Sequence, residues 1–272
     1  MAINGATEIY GILGHPVSHS LSPAMHNAAF RHLGLNKVYV PFPTRDPAAA
    51  VAGLKALGVK GVSVTIPHKQ AVIALLDRID PVAKRIGAVN TLVLEGDTIF
   101  GLNTDWLGAN AALQELTDLP GKRVLLLGAG GSARAIGFGL LEVGASLTLA
   151  SRTPASGQEL AQALGSPWVP LDAAAEVAAD ILINATSVGM GQGREQSPIS
   201  GEVLGRFALV MDIVYSPLET RLLREATAAG CRTINGLAML LYQGVAQFER
   251  WTGVPAPVAV MRRELLAGMA GR

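Results

Sequence analysis

The ten residues VLLLGAGGSA, from Val124 to Ala133, set an unbroken apolar run directly ahead of a glycine cluster and a helix-forming stretch. An apolar run without alternation reads as a strand covered on both faces, and Ala133 to Val143 keeps helical composition up to Gly144. A chain that passes from such a strand into a helix through Gly128, Gly130 and Gly131 is committed there to a parallel, helix-covered sheet. The spacing fits GxGxxG/A. Gly128 supplies the tight turn, Gly130 the place where backbone approaches a ligand, and Ala133 the close packing of helix on strand. Free amides at the helix start suit the pyrophosphate of a dinucleotide.

The next strand, Ser146 to Ala150, ends at Ser151-Arg152-Thr153, about 20 residues past the glycines, where such a unit meets the adenosine ribose. An acidic residue at this tip would hold the ribose hydroxyls of NAD. Arg152 offers a planar guanidinium that can meet a 2′-phosphate with paired donors and stack on adenine, which favours NADP.

The bulk composition narrows the partners. A chain of 272 residues suits two domains, and a net charge of +1 with no long basic run argues against a nucleic-acid surface. The single Cys231 excludes an internal disulfide, and the opening MAINGATEIYGILG lacks the charged and apolar regions of an export signal, so a cytoplasmic enzyme is expected. Apolar residues make up 50% of the chain, but Gly, Pro or charge interrupts them before a membrane span could form. His15 and His19 have a metal-ligand spacing only if helical; Pro16 breaks that helix, no HExxH or cysteine cluster supports them, and no metal is expected.

Strands are predicted at Glu8 to Leu13, Val38 to Phe42 and Gly61 to Ile66, with helices at Pro23 to Leu33, Asp46 to Leu57 and Lys69 to Leu76. A hairpin is predicted around Glu95-Gly96-Asp97, followed by a helix from Trp106 to Leu116. The second sheet continues through Ile181 to Asn184 and Leu209 to Asp212. These readings give an α/β fold: an N-terminal α/β domain over residues 1–103, a Rossmann-type dinucleotide domain over 104–236, and helices over 237–272 that return to the first domain. Two such domains would flank a deep interdomain cleft, with strand ends as the places for chemistry.

The segments at those ends are GHPVSHSLSPAMHNAAF (Gly14 to Phe30), GVSVTIPHK (Gly61 to Lys69), GAVNTLV (Gly87 to Val93) and GLNTDWLG (Gly101 to Gly108). They are followed by LLGAGGSARA (Leu126 to Ala135), NATSVGM (Asn184 to Met190), DIVYSPLETRLL (Asp212 to Leu223) and NGLAMLLYQGVAQFE (Asn235 to Glu249). In this order they resemble the shikimate dehydrogenase family over nearly the whole chain. The resemblance implies reversible NADPH-dependent reduction of 3-dehydroshikimate to shikimate, in the route to chorismate and the aromatic amino acids. It implies Lys69 and Asp105 as the catalytic pair. Ser20 and Ser22, with Tyr215, would take the substrate carboxylate, and Thr65, Asn90, Asp105 and Gln243 the ring hydroxyls. It also places Ala129, Gly131 and Ser132 around the cofactor phosphates, Ser151, Arg152 and Thr153 at its ribose end, and Thr186, Ile213 and Gly236 near the nicotinamide half.

Bland readings stand beside these. Lys69 and Asp105 could be solvated charges, Ser20 and Ser22 a helix cap before Pro23, Asn90 and Thr65 partners of strand-end backbone, and Gln243 a polar point on an apolar helix. One departure is specific to this chain: Ser151 replaces the family's Asn, and Ser156 stands where a second cation is common. The phosphate clamp is thinner, and weaker discrimination against NAD is expected. The alternatives are a quinate/shikimate dehydrogenase using NAD and, outside enzymes, a ligand sensor on the same fold. Oligomeric state stays open between monomer and homodimer.

Overall fold

The alternation of β-branched and alanine-rich runs in the first third forms, in the computed structural model, the elements β1 (Glu8–Gly14), α1 (Ser22–His32), β2 (Lys37–Pro43), α2 (Pro47–Ala56) and β3 (Gly61–Val64). These are followed by β4 (Arg78–Ile79), α3 (Pro81–Ile86), β5 (Thr91–Glu95) and β6 (Thr98–Leu102). The structure describes residues 3–270. Local chemistry sets the helix starts. A proline opens the first turn of α1, α2 and α3, and Asp46 and Asp80 cap α2 and α3 by accepting from the amides of Ala49 and of Val82 and Ala83.

By contact density the chain divides into two units. The first comprises the residues through Thr104 together with those from Gln243 onward, and the second is Asp105–Tyr242. The second division falls inside one long helix, between Tyr242 and Gln243.

The first unit holds one sheet in the order β2-β1-β3-β5-β6-β4. Long helical crossovers make β1, β2 and β3 parallel, but β5 runs antiparallel to both β3 and β6, because Gly96 at φ 59° closes a tight hairpin. This sheet is therefore mixed. Its core gathers Leu13, Val51, Leu54, Val62, Val72, Leu92 and Ile99. The helix predicted over Lys69 to Leu76 is instead a short 3-10 turn, Ala71–Leu75, and the strand predicted to reach Ile66 stops at Val64. Pro67 denies the strand a ladder donor just beyond that end.

The second unit carries α4 (Asp105–Gln114), β7 (Arg123–Leu127), α5 (Gly131–Glu142), β8 (Ser146–Ser151), α6 (Pro154–Leu164) and β9 (Trp168–Pro170). It continues with β10 (Ile181–Asn184), β11 (Leu209–Asp212), α7 (Arg221–Ala228), β12 (Arg232–Ile234) and the first turns of α8 (Gly236–Thr252). Its sheet runs β12-β11-β10-β7-β8-β9, every pair parallel, which is the doubly wound order with its reversal between β7 and β10. Val124 through Leu127 are at most 1% exposed, as an apolar run without alternation requires.

The last helix, α9 (Val258–Ala270), packs on α1 within the first unit. Gly268 permits this, since a Cβ there would crowd Leu21. Among the described residues no helix is long and apolar enough to cross a membrane.

Candidate functional site

Register brings the polar segments of the first unit to one sheet edge. Leu13 pairs with Val64, Ser63 with Thr91 and Thr91 with Leu102, so the exits of β1, β3 and β6 and the entry of β5 lie side by side. Reversal of β5 is what delivers Asn90 to the edge where β3 releases Thr65 and Lys69. Backbone bonds fix the loops: the Thr65 amide donates to Leu13, that of His15 to Ile66, and that of Val89 to the Lys69 carbonyl at 2.8 Å. Gly14 has no side chain because a Cβ would overlap the Thr65 methyl. His68 is anchored beneath, its Nε2 2.8 Å from the Thr44 carbonyl.

Asn90 is 2% exposed and organises this edge. Its Oδ1 accepts from the Thr104 amide at 2.7 Å and the Thr91 hydroxyl at 2.7 Å, while its Nδ2 donates to the Thr104 hydroxyl at 3.0 Å. Behind it runs a buried relay: Tyr39 donates to Ser63, Ser63 donates to Gln247 Oε1, and Gln247 Nε2 donates to the Thr91 hydroxyl and the Asn90 carbonyl. Burial pushes the Tyr39 phenol up, so it stays a neutral donor.

Ser20 and Ser22 lie on the β1–α1 loop. The helix cap expected of them is absent: the N-cap is Leu21 with no side-chain bond, and Ser20 Oγ accepts from the Ser22 amide at 3.2 Å. Ser22 is buried with its hydroxyl toward Tyr39. Thr65 and Lys69 are half-buried, and Gln243 is buried one helical turn before Gln247 on α8. Arg45 donates to His15, which gives that histidine a partner other than His19.

In the second unit Gly128 sits at φ 111°, and a Cβ would come within 2.9 Å of the Ala185 carbonyl oxygen. Both facts require glycine. Gly130 and Gly131 differ: neither has positive φ, and a Cβ on either would meet nothing within 4 Å. Their glycines leave open space over the start of α5, whose first turn has no side-chain cap and no acidic residue. Ala129 and Ser132 flank this cradle. It fits a pyrophosphate approached by backbone amides.

At the tip of β8 the roles separate. The Ser151 hydroxyl is committed inward, accepting from Trp168 Nε1 at 2.9 Å and donating to the Thr153 carbonyl at 3.0 Å, so only its backbone is available to a ligand. Arg152 and Thr153 are exposed, and Arg152 lines a groove of about 530 Å³ with Leu171, Asp172 and Ile199.

Two loops carry the remaining candidates. Thr186 closes its own turn, donating to Asn184 Oδ1 at 2.7 Å and accepting from the Val188 amide. Asn184 in turn donates to Asp212, which also accepts from Thr220 at 2.6 Å and from the Val214 amide. Burial pushes the Asp212 carboxyl up, and these donors oppose the shift. Ile213 lies against the start of α8, where a Cβ on Gly236 would overlap the Ile213 carbonyl. Tyr215 and Asp105 both belong to this unit, Asp105 as the first residue of α4, where a carboxylate complements the helix dipole.

Residues 12–92 match the family described as the shikimate dehydrogenase substrate binding domain, and residues 236–266 the shikimate 5'-dehydrogenase C-terminal domain. A shikimate dehydrogenase (NADP(+)) of Moorella thermoacetica is 50% identical, covering 98% of this chain and 95% of that protein. One of Methanothermobacter thermautotrophicus is 47% identical, covering 97% of each. A crystal structure of shikimate 5-dehydrogenase from Thermus thermophilus, in complex with NADP(H) and shikimate, is 39% identical with a TM-score of 0.89. It covers 96% of this chain and 99% of that one.

Proposed function

The chain belongs to the shikimate dehydrogenase family, and from that premise we propose that it catalyses the reversible NADP-dependent reduction of 3-dehydroshikimate to shikimate, supplying chorismate and the aromatic amino acids. The observation that best supports this is the edge of the first unit, where one amine, Lys69, stands among neutral hydroxyl and amide side chains. Such a set suits a substrate with one ketone, one carboxylate and several hydroxyls.

NADPH would supply the hydride when bound, and NADP+ would take it back in the oxidative direction. Gly128, Ala129, Gly130, Gly131 and Ser132 take its pyrophosphate through backbone amides, and Arg152 with Thr153 takes the 2′-phosphate, the Ser151 backbone setting the tip. Thr186, Ile213 and Gly236 shape the nicotinamide end.

Lys69 and Asp105 are the ionisable groups assigned to the reaction. As the ketone carbon accepts hydride, the carbonyl π pair collapses onto oxygen, and the Lys69 ammonium donates a proton to the nascent alkoxide. In the oxidative direction the neutral amine takes the hydroxyl proton back. Ser20, Ser22 and Tyr215 hold the carboxylate, and Thr65, Asn90, Asp105 and Gln243 the ring hydroxyls. The near-balanced charge and lone cysteine fit a cytoplasmic enzyme that handles small molecules rather than nucleic acid.

Incubation with 3-dehydroshikimate and NADPH tests the proposal: stoichiometric cofactor oxidation and formation of shikimate are expected. Binding of either ligand without turnover would establish a sensor instead.

A further inference from the structure

Two arginines of the first unit converge on one ring, and none of the three residues has a role assigned above. Arg78 lies directly opposite Phe100 in the β4–β6 pairing, its guanidinium carbon 5.8 Å from the ring centroid. Arg250, from α8, stands 5.3 Å from the same centroid. The end of α8 is pinned there, because Trp251 donates from Nε1 to the Leu92 carbonyl at 3.0 Å.

Like charges sharing one aromatic ring repel, and acids normally relieve such a pair. Arg123, Arg221 and Arg224 each have a carboxylate partner. Among the described residues, Arg78 and Arg250 have none. The neighbouring acids are engaged elsewhere: Asp77 accepts from the Ile99 amide, Asp97 faces Lys55 at 3.9 Å, and Glu249 accepts from the Ala256 amide. Only Glu95 also lines the space between the arginines, and it pairs with neither.

That space is a pocket of about 60 Å³ with Val93 and Phe100 as apolar walls and Thr98 alongside. It is several times the roughly 10–15 Å³ that one water requires, which leaves room for one tetrahedral group.

We propose that Arg78 and Arg250, held over Phe100, form a binding site for a small oxoanion, the phosphoryl group of inorganic phosphate or of a phosphomonoester. Guanidinium forks match phosphoryl oxygens in pairs, and the phenyl ring holds both forks facing the pocket. Thr98 contributes a neutral hydroxyl, and Glu95 is the opposing charge that limits affinity. The site is independent of the dehydrogenase reading.

Calorimetric titration of the full chain with sodium phosphate and, separately, glycerol 1-phosphate, against sodium chloride of equal ionic strength, tests it. Saturable binding is expected that persists in Arg152→Gln, weakens at least fivefold in Arg78→Gln or Arg250→Gln, vanishes in the double variant and tightens in Glu95→Gln. Saturation by phosphate or by the ester alone identifies which source the site takes. Circular dichroism of the double variant checks that it folds. Absence of saturation by both probes, loss of binding in Arg152→Gln, or unchanged binding in a folded double variant would overturn the site.

Discussion

Lys69 is held by its main chain, through the Val89 amide on its carbonyl, while its side chain leaves the loop just ahead of a 3-10 turn. A group placed that way can act in the transition state without being needed to build the loop. Lys69→Ala is expected to lower kcat by roughly 100-fold or more, the range for a lost acid or charge stabiliser, with a much smaller change in substrate KM. A large KM effect with kcat intact in steady-state kinetics would reassign the residue to binding. The glycines allow a similar separation. Gly128→Ala forces φ 111° on a residue with a Cβ and drives it onto the Ala185 carbonyl, so the thermal midpoint should drop. Gly130→Ala meets nothing in the protein. It should leave the midpoint near wild type and weaken NADP+ at least about tenfold, roughly 1.4 kcal/mol, in an equilibrium titration.

At the scale of elements, the two loops proposed for the nicotinamide end depend on Asp212, which joins β11 to Asn184 at the end of β10 and to Thr220 at the start of α7. Thr220 does two jobs, donating to Asp212 and capping α7 through the Leu223 amide. Thr220→Val should cost about 2–3 kcal/mol, a lost cap together with a buried carboxylate short of a donor. Thr220→Ser should recover most of it in urea unfolding. Elements of this second unit are largely legible in the sequence. β10 and β11 lie at the predicted residues, since apolar runs in a parallel sheet have clear limits. The three-residue β9 and β12 of this unit, and the two-residue β4 of the first, are not, because strands so short carry no periodicity. The 3-10 turn at Ala71–Leu75 reads as a helix in the sequence because its composition is helical, whereas its length is set by the surrounding loops.

Over the whole molecule, the candidate residues are legible as types at strand ends, but the relay behind them is not. Tyr39, Ser63 and Gln247 lie on β2, β3 and α8, and no spacing rule joins them; the one local signal is the four-residue interval between Gln243 and Gln247 in an apolar helix. The same interior holds His26, fully buried and stacked on Tyr39 at 4.5 Å, where burial, opposed by Gln247, pushes its pKa down to about 3. The folded state keeps His26 neutral while the unfolded chain protonates below its ordinary value of 6.5. Its contribution is therefore complete above that value and is lost as the pH falls, at up to about 1.4 kcal/mol per pH unit. His26→Phe should show a shallower loss of stability between pH 7 and pH 5 than wild type in denaturant titrations; parallel curves would assign the acid sensitivity elsewhere.

Arg152, exposed at the tip of β8, carries the preference for NADP+ proposed for this chain. The direct test is kcat/KM for shikimate and for quinate, each with NADP+ and with NAD+. Shikimate with NADP+ is expected to give the highest value, and NAD+ a lower but measurable one. A higher value with quinate, or with NAD+, would overturn the proposed substrate or cofactor.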